Sequence, residues 1–370
     1  MKNLLQYIQE NRTEKKVTIE GGWYGEMYIG TRAIYYDVPT ATKEKRVFAF
    51  ISYPKTPKPK NGYPAVLLIH GGNGAAFYEM SRLWADRGFI TIAPDFNGKF
   101  AHSINERQNV NELGGNEGYG SVNDLNDQNT WAYFSVLSAM RAIDVLTSLE
   151  EVDSENVFSC GLSWGGFLQL LLSSVEKRIK AASIIYSSAF ISNSEWGKKI
   201  LSCLSEEEKL IWDQNIDPKN YLKNISCPVF FTAGADDHAF KMENRRITAE
   251  EIVSPVYFGL RKSFPHANFY GFEQEETACF FKKLINEEKI PQPKVIVDND
   301  TIKINSFELN SELNLCYTED DVENTERQQW ESKPVLNGEI LSLPVGCTAF
   351  FVTEKTLDGK EWSSKMIKIK

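Results

Sequence analysis

Between residues 64 and 286, short runs that are apolar almost throughout alternate with longer stretches whose apolar side chains recur every three or four positions. The runs at 65–69, 89–93, 157–160, 182–186 and 228–233 lack the every-second-residue alternation of a half-exposed strand. Continuous apolarity is what a strand buried on both faces of a parallel sheet requires. The patterns between them predict helices at 77–87 and 131–149, with two more at 166–175 and 275–286. Strand and helix in turn make a βαβ rhythm, so a doubly wound α/β core is expected.

Elsewhere the rhythm breaks. The first 60 residues are mixed, with one strand read at 47–53 before a turn rich in Pro and Lys. Residues 97–129 are crowded with Asn, Gly and Asp, and are expected to form a long loop over one end of the sheet. Residues 187–226 place charged, helical sequence between two strands and are expected to form a lid beside the active site. After Pro291-Gln292-Pro293 the texture turns all-β, with strand-like stretches at 294–297, 301–304, 313–317, 348–352 and 365–369. Asn, Asp and Gly turns join them. The expected division is a catalytic domain over 1–290 and a small all-β sandwich over 291–370.

Composition narrows the function classes. Hydrophobic residues make up 42% and charged residues 25% of the 370, ordinary values for a globular protein. The net charge is −9 and no run of Lys or Arg forms a basic stripe, which speaks against nucleic acid or an anionic membrane as partner. No apolar stretch reaches the length of a signal peptide or a membrane span, so a cytoplasmic protein is expected. The six cysteines, 160, 203, 227, 279, 316 and 347, show no CxxC pairing. Free thiols in a reducing compartment are the expectation, with no metal and no cofactor.

The chemistry concentrates at Gly161-Leu162-Ser163-Trp164-Gly165, a G-x-S-x-G motif between a predicted strand and a predicted helix. That setting marks a nucleophile elbow, in which a sharp turn strains the serine backbone and lifts its hydroxyl clear. Serine needs a histidine base and a carboxylate to orient it, in the chain order Ser, Asp or Glu, His. Of the four histidines (70, 102, 238 and 266), only His238 and His266 lie downstream. His238 directly follows Asp236-Asp237, too close for either to hold it in triad geometry. His266 lies on a loop beyond the last strand and is the expected base.

The acid belongs on the turn after the strand at 228–233, where Gly234-Ala235-Asp236-Asp237 has the form G-x-x-D. Asp237 is favoured, with Asp236 as a turn-capping carboxylate. The oxyanion hole needs two backbone amides. One is Trp164; the other comes from His70-Gly71-Gly72-Asn73-Gly74, with Gly72 and Asn73 both open. His70 is read as a structural hydrogen-bonding residue beneath that loop, since a metal-ligand role lacks partners at useful spacing. Asn116 and Tyr119, in the Asn-rich loop, are candidates for hydrogen bonds to a sugar.

Together, 65–77, 84–89, Cys160-Gly161-Leu162-Ser163-Trp164-Gly165-Gly166 and Gly234-Ala235-Asp236-Asp237-His238 resemble the acetylxylan-esterase-like and dienelactone-hydrolase-like branch of the α/β-hydrolase superfamily. The likeness spans roughly residues 30–290, and the tryptophan after the nucleophile is one of its more specific elements. It implies an α/β-hydrolase fold with a mostly parallel sheet, and a Ser163-His266-Asp237 triad working through an acyl-enzyme. In such relatives the acid precedes a histidine, as Asp237 precedes His238. The implied substrate is a small-molecule ester or an acylated carbohydrate. The chain departs from the pattern at Asn73, where relatives often carry a glycine-like residue. Trp164 replaces the Gln of cephalosporin deacetylases, and Ser163 replaces the Cys of dienelactone hydrolases proper. A prolyl-oligopeptidase-like aminopeptidase shares the elbow, but the 60 residues ahead of the core are too few for its propeller. A non-catalytic binder on the same fold is the remaining alternative.

Overall fold

Apolar runs become the centre of a large mixed sheet in a computed structural model of the chain, which describes residues 4–12, 16–23, 30–39, 44–72, 74–97, 99–101, 107–109, 131–299 and 301–369. In chain order the strands up to the elbow are β1 (Ile19–Trp23), β2 (Thr31–Pro39), β3 (Glu44–Ser52), β4 (Tyr63–Ile69), β5 (Ile90–Pro94), β6 (Lys99–Ala101), β7 (Arg107–Asn109) and β8 (Val152–Leu162). Beyond it come β9 (Ala181–Ile185), β10 (Val229–Gly234) and β11 (Val256–Arg261). Strands β5, β4, β8, β9, β10 and β11 lie side by side in that order, all parallel. Every residue of β5, β9 and β10 is buried, which explains their unbroken apolarity.

Helices α1 (Leu4–Asn11), α2 (Tyr78–Asp86), α3 (Trp131–Ser148), α4 (Trp164–Val175), α5 (Glu195–Ile200), α6 (Glu206–Asn215), α7 (Met242–Glu251), α8 (Asn268–Glu273) and α9 (Glu276–Ile285) connect and flank the strands. Aromatic stacking joins helix to sheet where α9 meets β8, with the Phe158 and Phe281 rings 4.5 Å apart. Helix α4 is buried along its whole length, so it reads as apolar nearly all round.

At one edge the structure has more strand than the sequence pattern predicts. β1, β2 and β3 pair antiparallel and join the core through β3 against β5. In β2 the residues Ile34, Tyr36 and Val38 are fully buried, so its Thr-Arg-Ala-Ile-Tyr-Tyr-Asp-Val-Pro sequence does carry a period of two. Within the stretch read as a long loop, β6 and β7 pair antiparallel, and residues 98, 102–106 and 110–130 lie outside the described ones.

At the other edge lie β12 (Lys294–Asp298), β13 (Thr301–Asn305), β14 (Glu312–Thr318), β15 (Glu331–Val335), β16 (Ile340–Ser342), β17 (Ala349–Lys355), β18 (Glu361–Ser363) and β19 (Ile367–Lys368). They form two layers around Ile302, Ile304, Leu313, Leu315, Phe350 and Val352. One layer is β12, β13 and β16; the other, β18, β17, β14 and β15, continues the central sheet. The junction is β11 against β18, where Phe258 pairs Ser363 and the Leu260 amide donates to the Ser363 hydroxyl at 2.8 Å. This β-rich region is thus hydrogen-bonded to the catalytic sheet. Among the described residues no helix is long and apolar enough to cross a membrane.

Candidate active site

β8 passes into α4 through Ser163, whose φ of 55° and ψ of −123° lie outside the usual regions for a residue with a side chain. Such a conformation costs about 1–3 kcal/mol and persists only where its surroundings enforce it. Three glycines make the enforcement possible. A Cβ on Gly161 would stand 2.2 Å from the Gly165 carbonyl oxygen, and one on Gly165 would stand 2.3 Å from that of Ile69. One on Gly166 would meet the Ser187 Cβ at 2.5 Å. Strand, turn and helix therefore close to backbone contact, and the hydroxyl projects from the tip.

That hydroxyl meets His266. Nε2 of His266 is 2.9 Å from Ser163 Oγ, and Nδ1 is 3.0 Å from Asp237 Oδ1. With Nδ1–H donating to the carboxylate, Nε2 is free to accept the serine proton. Asp237 is buried and also accepts the Ala239 and Phe240 amides at 2.9 and 3.2 Å and Arg245 Nη2 at 3.2 Å. Burial alone would raise its pKa. The bond to His266 and the Arg245 charge outweigh burial, and hold the carboxyl below its ordinary range. The imidazole lies 4.3 Å from the Tyr186 ring and near-parallel to Phe240 at 6.1 Å.

Five hydrogen bonds fix the loop that carries His266 and the helix that follows it. Asp236 accepts from the Ser263 hydroxyl and from the Phe264 amide at 3.3 Å, so the neighbour of the acid braces the base. Tyr186 donates its hydroxyl to the Ala267 carbonyl at 2.5 Å. The Trp84 indole and Arg87 both donate to the Phe272 carbonyl, at 3.0 and 2.9 Å.

Opposite them lies the turn after β4. A Cβ on Gly71 would come within 3.2 Å of the Ser163 Cβ, so this backbone sits against the nucleophile. His70 supports it from below. Its Nδ1–H donates to the Gly71 carbonyl at 2.8 Å and its Nε2 accepts the Phe96 amide at 2.9 Å, which fixes the tautomer. Burial pushes its pKa down to about 4, so the ring is neutral.

Gly72, Ser163, Trp164, Tyr186, Trp196 and His266 border a cleft of about 400 Å³. Of the residues singled out from the sequence, Ser163, Asp237 and His266 come together, with Gly72 and Trp164 beside them. His238 is exposed, its ring 5.4 Å from that of His266 and outside the relay. Asn73, His102, Asn116 and Tyr119 lie outside the described residues. Sequence reasoning missed Tyr186, Trp196 and Arg245. Tyr186 follows a parallel strand at its carboxyl end, where α/β sites gather, so a signal was present. For Arg245, on α7, there was none. Among the described residues no group of three or more His, Cys, Asp or Glu is placed to hold a metal ion.

A model of the dienelactone hydrolase family matches residues 49–279. Acetyl esterase Axe7A of Xylanibacter ruminicola is 27% identical over 226 residues, which cover 58% of this chain and 51% of that protein. The chain thus spans about half of that relative's length. Among solved structures, acetyl xylan esterase 1 from Thermoanaerobacterium superposes with a TM-score of 0.56 at 19% identity, covering 76% of this chain and 92% of that one. An acetyl xylan esterase from Paenibacillus gives 0.58 at 16%, covering 75% and 91%. At that identity the superpositions establish the α/β-hydrolase fold.

Proposed function

The chain belongs to the dienelactone hydrolase family, and from that premise we propose that it is a serine carboxylic-ester hydrolase removing small acyl groups, acetyl first among them. One observation carries the reading: the unbroken relay from Ser163 Oγ through His266 to the buried Asp237, at 2.9 and 3.0 Å.

In this reading Ser163 Oγ attacks the ester carbonyl carbon while His266 Nε2 takes its proton. Asp237 keeps the imidazole in the needed tautomer and stabilises the imidazolium. The oxyanion is received by the Trp164 amide and by that of Gly72 or Asn73, each such donor contributing about 3–4 kcal/mol in comparable sites. His266 then protonates the departing alkoxide, and water, activated by the same base, releases the acid from Ser163. Ground for a small acyl group is the aromatic wall, where Trp196 lies 5.6 Å from Trp164 and 5.0 Å from Phe240, ring to ring. Acetyl, and a carbohydrate as the alcohol, are suggested by the names of the relatives.

Hydrolysis of 4-nitrophenyl esters of increasing chain length, beside an aminoacyl-anilide panel, tests the reading. Acetate should give the highest kcat/KM. Turnover of anilides with none of acetate would replace esterase by peptidase, and turnover of neither would end the proposal.

A further inference from the structure

A second cleft, of about 580 Å³, lies between the acid turn, Lys262 and Ser263, and the C-terminal segment from Glu326 to Trp330. We propose that it is the subsite for the alcohol part of the substrate, and that it takes an anionic, oxygen-rich group: a sugar carrying a carboxylate. The inference rests on the esterase reading above.

Direction comes from the chemistry. The alcohol must leave on the imidazole side, because His266 delivers the proton to the departing oxygen. Of three rings near His266, Tyr186 and Phe240 are buried, while His238 is exposed and also lines the second cleft. In this proposal the alcohol extends outward past His238, whose ring lies 5.4 Å from that of the base, toward that cleft.

The cleft is also built. Glu326 pairs with the buried Lys241 at 2.8 Å and accepts the Glu195 amide at 3.1 Å, and Lys241 donates to the Glu323 carbonyl at 3.2 Å. One carboxylate from the C-terminal region thus fastens the acid loop to helix α5, which carries Trp196.

The charge balance names the ligand. Every carboxylate lining the cleft is already engaged: Glu326 by Lys241, Asp236 by Ser263 and Phe264, Asp237 by His266 and Arg245. Lys262 and Arg327 line the same cleft, and among the described residues neither has an ion-pair partner. Trp330, which also lines it and is 6% exposed, has an indole N–H without an acceptor. Donors are in surplus, and a ligand that supplies acceptors and negative charge fits them.

The test is a matched pair: a monoacetylated methyl glucopyranoside and the methyl glucopyranosiduronate acetylated at the same position. The native protein should favour the uronate by roughly tenfold in kcat/KM, carried by KM, since two exposed charge contacts supply about that much. Lys262→Gln with Arg327→Gln should erase the preference and leave 4-nitrophenyl acetate turnover unchanged. Equal kcat/KM for the pair in the native protein, with 4-nitrophenyl acetate still hydrolysed, would overturn the subsite and leave the esterase reading standing. A preference that survives the double variant would overturn it as well. Failure to hydrolyse any of the three esters would overturn both.

Discussion

The two sides of the site are held by different means. On the nucleophile side the contacts are short in sequence or between adjacent strands: Gly161 against Gly165, Gly165 against Ile69 and Gly71 against Ser163. In the first two backbone touches backbone, in the third backbone meets the Ser163 Cβ, and glycine is the sole residue that permits such approaches. On the acid–base side the contacts are long and made by side chains. His266 meets Asp237 across 29 positions, Asp236 reaches Phe264 across 28, and Glu326 reaches Glu195 across 131. The first side is dictated by sterics within a strand–turn–helix unit, and the second only by the finished fold.

The largest expected effect breaks the nucleophile side alone. Ser163→Ala should lower kcat for 4-nitrophenyl acetate by about a millionfold, as in comparable triads, while the melting temperature stays put. Esterase activity that persisted in that variant would place the nucleophile elsewhere. On the other side, Asp237→Asn should cost about ten-thousandfold in kcat by favouring the wrong imidazole tautomer. Arg245→Met removes the buried cation behind the acid, at 3.2 Å, without touching the relay. Misplacement of the acid by up to an ångström then predicts a loss of up to about a hundredfold.

Lys241→Met should sharpen the comparison further. It frees Glu326 from its buried partner and loosens helix α5, so KM for acetylated substrates should rise severalfold with kcat little changed. A fall in kcat with KM constant would mean that the clamp serves the triad and not the cleft wall.

The smallest effect is one of stability. His70 has a folded pKa of about 4 against an ordinary 6.5, so on acidification the unfolded chain takes the proton first. Stability from the neutral ring is complete above pH 6.5 and is lost as pH falls toward 4, at most about 3 kcal/mol. Urea midpoints measured across that window should fall steeply in the native protein, and more gently in His70→Gln. Parallel curves would show that His70 is not held neutral by burial.

The same contrast explains what was legible in the sequence. Central strands announce themselves because burial on both faces leaves an unbroken apolar run, and the elbow does so because its glycines are sterically compelled. His266 was expected from chain order together with the scarcity of histidines, and Asp237 from the G-x-x-D turn after the strand at 228–233. Arg245, Tyr186 and Trp196 were not, since their roles depend on contacts that no local pattern encodes. Of the N-terminal antiparallel strands only β3 was read, and β1 and β2 were passed over although β2 alternates. The backbone junction between β11 and β18 was hidden because it rests on a single paired position, Phe258 with Ser363.

The central claim is that Ser163 becomes a nucleophile through His266. Its most direct measurement is labelling with a fluorophosphonate, followed by mass spectrometry of the modified peptide. The account predicts one adduct, on Ser163, formed in the native protein and suppressed in His266→Ala. An adduct on another residue, or labelling of Ser163 undiminished without the imidazole, would contradict it.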